Sequence, residues 1–142
     1  MYPPEERPGG GGELERREFA LPYGGTRIGD EDYPHLDRSN VDDRQILMLG
    51  EHPEFHATSE DKVRDSGTRM HITMDTAVVN QLWDNNPPET WEAAQRLRAA
   101  GMRRLDIIHK IADLLVEHMV PVLKYQAPFD QVAYRTALRA LR

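Results

Sequence analysis

The sequence predicts an all-α protein: a small antiparallel helix bundle behind an irregular N-terminal tail. Three observations carry this. Apolar residues recur at spacings of three and four through the C-terminal two thirds of the chain. No stretch alternates with a period of two over a useful length, which argues against strands. The breaks between the periodic segments are short, as between neighbouring antiparallel helices.

The tail is assigned to residues 1–40 and the helical domain to residues 41–142. Residues 1–40 hold seven of the ten glycines and five of the ten prolines, including the run Gly9-Gly10-Gly11-Gly12. Glycine loses the most backbone entropy on folding, and proline lacks a backbone donor. Sparse apolar residues do not offset that cost, so a disordered or extended tail is expected. Its densest apolar cluster, Phe19 to Tyr23, can lie along the bundle as an extended arm, and the tail's spaced aromatics suit docking to a protein partner.

Each helix follows from local signals. Val41 to Phe55 reads as a short helix and a break, with Asp42 or Asp43 at the N-cap and Gly50 and Pro53 at the end. Ala57 to Thr68 reads as a loop or a single turn. Met70 to Trp83 is the first strong helix, with Met70, Met74, Ala77, Val78 and Leu82 on one stripe. Asn86-Pro87-Pro88-Glu89 predicts a helix start with Asn86 as N-cap, Pro87 at the first position and Glu89 as a capping-box acid. That helix closes at Gly101. Met102 to Leu123 is the most apolar and is expected to be the central axis, with Pro121 kinking or ending it. Pro128-Phe129-Asp130 opens the last helix.

Composition narrows the function classes. Net charge is −6: nine acids and five bases lie in residues 1–40, fifteen and thirteen in the rest. A nearly balanced domain argues against a nucleic-acid footprint or docking on anionic membranes. The absence of cysteine excludes disulfides and thiolate metal sites. No apolar run reaches membrane-span length, and no signal peptide is visible, so a cytoplasmic location is expected. A helical domain of this size buries limited area per protomer, so self-association into a homo-oligomer is the first functional expectation.

The candidate chemistry lies across two helices. His71 and Asp75 are four apart and share a face; Asp106, His109 and Asp113 fall at spacings of three and four on the long helix. Imidazoles and carboxylates from facing helices can bind zinc, iron or manganese in a bundle core. The expected ligands are therefore His71, Asp75, Asp106 and His109. With a position left open, such an ion activates water for hydrolysis. The structural alternative is that these histidines hydrogen-bond neighbouring helices. His52 and His56 are also four apart, but Pro53 excludes one helix through both, and a turn packed on the bundle is expected. His118 is expected to bond another helix. Asn80 and Gln81, polar in an apolar helix, are expected to bond another helix or a dimer partner. Arg96, Arg98, Arg103 and Arg104 form a basic patch, read first as a solvated face with the last three placed to meet a helix end, and second as a surface for phosphate or RNA.

Several motifs recur in a familiar order: His52-Pro53-Glu54-Phe55-His56, Val79-Asn80-Gln81-Leu82, Pro87-Pro88-Glu89, Arg96-Leu97, Gly101, Arg104 with His109, then Phe129-Asp130 and Tyr134. Over about residues 50 to 141 the chain resembles an uncharacterised bacterial family, domain of unknown function 1841. The resemblance implies a small helical protein of bacterial type and names no substrate. The family often carries His-Glu-x-x-His where this chain has Leu105 to His109, and often a second histidine where this chain has Asp75.

Overall fold

The computed structural model describes residues 12–55 and 66–142. Among these, six helices and one short hairpin form the molecule: α1 (Glu13–Ala20), β1 (Thr26–Ile28), β2 (Glu31–Tyr33), α2 (Val41–Gly50), α3 (Ser66–Asp84), α4 (Pro88–Ala99), α5 (Arg104–Tyr125) and α6 (Gln131–Ala140). A 3-10 turn at Pro53–Phe55 follows α2. The small helical bundle expected from the sequence is present. No helix of the described residues is long and apolar enough to cross a membrane.

The expected tail is corrected over residues 12–40. Phe19, Ala20 and Leu21 are buried in the main core, at the end of a helix rather than on an extended arm. β1 and β2 pair antiparallel with Arg27 opposite Asp32, so a two-stranded ribbon exists where no strand was expected. Gly50 lets it approach α2, because a Cβ there would overlap the Thr26 side chain.

What orders this region is arginine bonded to helix ends. Arg16 donates from Nε to the Leu82 carbonyl at 2.7 Å and from Nη2 to that of Trp83 at 3.3 Å, satisfying the C-terminus of α3. Arg104 does the same for α1, donating to the carbonyls of Phe19 and Ala20 and pairing with Glu51. Arg17, Arg38 and Arg44 stand 4.8–6.0 Å from the Trp83 ring, within cation–π range.

The central helix is α3, not α5 as the sequence led us to expect. α3 packs against α1, α2, α4 and α5. The first half of α5 is buried through Ile107, Ile108, Ile111 and Leu115, but Val116, Val120 and Leu123 on the second half are exposed. Pro121 lies inside α5 without ending it, and the left-handed Gln126 closes the helix.

Three local details also differ. Asn40, not Asp42 or Asp43, caps α2, with its side chain accepting from the Asp43 amide. Pro87 occupies the N-cap of α4 and Pro88 the first helical position. Glu89 leaves the capping role to pair with Arg135 and Arg139 of α6. The expected loop at 57–68 lies outside the described residues up to 65, and α3 already begins at Ser66.

The hydrogen bond from Arg135, followed by the charges of Arg135 and Arg139, holds the Glu89 carboxyl below its usual range. Glu89 is covered by guanidinium groups rather than sunk in the core, so solvent screens the pair. A carboxyl depressed on folding contributes stability above its unfolded pKa and loses it as pH falls through the folded value. Wild type should therefore exceed Glu89→Gln in stability at pH 6–7. The gap should close as urea melts are repeated from about pH 4.5 downward.

Candidate metal centre

A buried carboxylate in the middle of α3 organises the site. Asp75 is 1% exposed and lies among Ile72, Thr76, Val78 and Val79, all buried. Burying a carboxylate demands a cation or a set of donors. Three imidazoles supply the surroundings. His71 is one helical turn before Asp75, with Nε2 3.2 Å from Oδ2. His109 reaches across from α5, with Nε2 3.0 Å from the same oxygen. His52 enters from the turn after α2, also with Nε2 at 3.0 Å. The three rings lie 5.0–5.3 Å apart by centroid. One ligand atom from each of the four residues falls within 4.8 Å of the others.

The hydrogen bonding fixes the orientation of one ring. His52 Nδ1 lies 2.6 Å from the Met48 carbonyl. A carbonyl only accepts, so Nδ1 carries the proton and donates it, and a neutral His52 presents a bare lone pair at Nε2. That lone pair faces His109 Nε2 at 3.1 Å as well as the Asp75 oxygen. Three imidazole nitrogens thus stand within 3.2 Å of Asp75 Oδ2. A neutral His52 and the Asp75 carboxylate both turn lone pairs toward the space between the rings, where a cation can meet them. Burial alone would lower the pKa of His52. The Asp75 carboxylate, the Met48 carbonyl and the Glu54 charge outweigh it and raise the pKa above the ordinary histidine value.

The spacing suits a first-row metal. With ligand bonds of about 2.1 Å, neighbouring donors sit about 3.0 Å apart at right angles and about 3.4 Å apart at tetrahedral angles. The observed contacts of 3.0–3.2 Å fall in that interval. The widest separation, up to 4.8 Å, exceeds the roughly 4.2 Å between trans ligands, and the half-exposed His71 ring has room to close it. The Met48–His52 contact is of the kind that would fix a ligating ring from outside the ligand set. His71, Asp75, Asp113 and Val116 border an open cleft of about 210 Å³.

Of the four residues expected from sequence, His71, Asp75 and His109 come together and Asp106 does not. Asp106 faces solvent on the first turn of α5, 3.5 Å from Arg103, at the end of the helix rather than beside Asp75. His52 takes its place. α2 ends at Gly50, before His52, and the turn at Pro53–Phe55 follows with His52 buried. His56 lies outside the described residues. The signal for His52 was its place in the recurring motif, since nothing in local spacing links it to His109.

The remaining candidates are structural. His118 bonds the Leu114 carbonyl of its own helix, not another helix, and packs edge-on to Tyr134. Asn80 accepts from Arg44, and Gln81 from Thr90 and Tyr134, so both amides link helices within the chain. Of the basic patch, Arg96 bonds the carbonyls of Leu138 and Leu141, Arg98 pairs with Glu15 and Arg103 with Asp106. With Arg104 spent on α1, the patch is engaged in holding helices together.

Comparison with protein families, curated proteins and solved structures returned no match.

The geometry separates the two residues in a stability assay. His52→Ala leaves a cavity and removes one hydrogen bond to the Met48 carbonyl, which keeps the Glu51 amide, and should cost about 2–4 kcal/mol in urea unfolding of chelator-treated protein. Asp106→Ala should stay within about 0.5 kcal/mol. Equal losses in both would contradict the placement.

Proposed function

We propose that the protein is a metal-binding helix bundle that holds one divalent transition ion on His52, His71, Asp75 and His109. The convergence of three imidazole nitrogens on one buried Asp75 oxygen, with a ligand atom of each of the four residues within 4.8 Å of the others, is the observation that carries this. Three imidazoles favour zinc or iron over manganese, which prefers a larger share of oxygen donors. A proton at His52 Nε2 is the competing occupant, so loading releases protons and weakens as pH falls.

The ion's outer side coincides with His71 and His109, whose side chains are 42% and 34% exposed. An ion with five or six ligands keeps a water there, beside the cleft. A metal-bound water loses its proton far more readily than free water, which makes hydrolysis the reaction class this site suits. Asp113, on the rim, is placed to accept a proton or to hold the water.

Protein purified without a histidine tag and stripped with EDTA tests the reading by calorimetric titration with zinc. One ion should bind per chain, with a raised melting temperature. His52→Ala and Asp75→Ala should each weaken binding about 100-fold or more, while Asp106→Ala leaves it unchanged. Zinc uptake well below one equivalent, with no thermal shift, would overturn the proposal.

A second reading concerns assembly. Val116, Val120 and Leu123, spaced four and three on α5, form an exposed apolar stripe, with Tyr125 and Val132 also exposed. Such a stripe favours a homodimer joined through the second half of α5. The melting temperature should rise with protein concentration, and Val120→Glu with Leu123→Glu should remove that dependence. A sedimentation equilibrium fitting one monomer at 100 µM, about the range where weak dimers form, excludes it.

A further inference from the structure

A second cleft lies next to the one at the metal cluster, along the same seam between α3 and α5. Met74 borders both, and the second, of about 320 Å³, is walled by Leu115, Met119, Phe129 and Tyr134. On α3 the lining passes from His71 and Asp75 through Met74 and Ala77 to Gln81, one turn at a time. The two clefts meet at one thioether, whose side chain adapts its shape readily. Their volumes place them together in the range of small-ligand sites, roughly 300–1,000 Å³.

The far end is held rigid. Gln81 Oε1 accepts from the hydroxyls of Thr90 at 2.7 Å and Tyr134 at 2.8 Å. Burial pushes the Tyr134 hydroxyl up to about 12, so it remains a neutral donor. With its oxygen engaged twice, the Gln81 amide is fixed and marks the end of the apolar track. Asp75 and Gln81 are about 9 Å apart along the helix axis, the reach of roughly six to seven methylenes.

We propose that the two clefts together bind an acyl compound, with a metal-binding head at the His52, His71, Asp75 and His109 centre and an unbranched apolar chain laid across Met74 toward Gln81. The inference rests on the metal-binding reading and names its ligand class. The head is anionic or strongly polarised, as the cation requires. The chain is selected by the apolar walls, where each buried methylene strengthens binding by roughly fourfold.

The test uses the full chain loaded with zinc and two hydroxamates, acetohydroxamate and octanohydroxamate, titrated by calorimetry. Octanohydroxamate should bind about 30-fold or more tightly. Ala77→Phe and Met119→Lys each obstruct the track and should bring octanohydroxamate to within a fewfold of acetohydroxamate, with zinc content and acetohydroxamate affinity unchanged. Equal affinities for the two probes in the wild-type, zinc-loaded protein would overturn the groove. Neither probe binding to zinc-loaded protein would also overturn it, by showing no open ligand position. Failure of zinc to bind at all is a different result, which removes the metal reading and the groove with it. The wild-type comparison decides the matter even if either variant fails to fold.

Discussion

The site depends on the burial of one negative charge. Asp75 sits in the centre of α3, the helix against which α1, α2, α4 and α5 all pack. A carboxylate there is costly unless positive charge or donors meet it. The histidines come from three separate places: the same helix, the facing helix, and the turn after α2. The Pro53 turn, in particular, aims a fully covered imidazole at the core and fixes its tautomer through Met48.

That constraint also gives meaning to the ordered region before α2. The chain entering α2 is anchored by Arg38 to the Leu21 carbonyl and by Arg44 to the carbonyls of Arg38 and Ser39. Arg104 joins Glu51, adjacent to His52, to the end of α1. α1 is in turn pinned to the end of α3 by Arg16. A loop of bonded elements therefore runs from the helix that bears Asp75 back to the turn that bears His52. Positioning to a few tenths of an ångström, which ligand chemistry requires, needs this kind of support.

The arginines thus do structural work that their clustering in sequence disguises. A basic run suggests a phosphate surface when read as charge alone. Here Arg96 and Arg104 are consumed by helix-terminal carbonyls, which accept strongly and otherwise lack partners, and Arg98 and Arg103 pair with carboxylates. The exposed surface that remains distinctive is apolar: the groove beside Met74 and the stripe from Val116 to Leu123.

The helices themselves were legible in the sequence, because periodicity, caps and breakers act within a few residues of one another. The i,i+4 pairing of His71 with Asp75 belongs to the same class, being fixed by helix geometry alone. Three matters were not legible. Residues 12–40 hold order through arginine contacts to distant carbonyls, and glycine content does not register those. The centrality of α3 over α5 turns on which apolar stripe is covered, and both stripes look alike in one dimension. His52 and His109 meet across 57 positions of chain, a contact set by how α2 and α5 pack on α3. Local sequence decides what each segment becomes; only the packing of segments decides which side chains share a point in space, because that depends on crossing geometry no local pattern encodes.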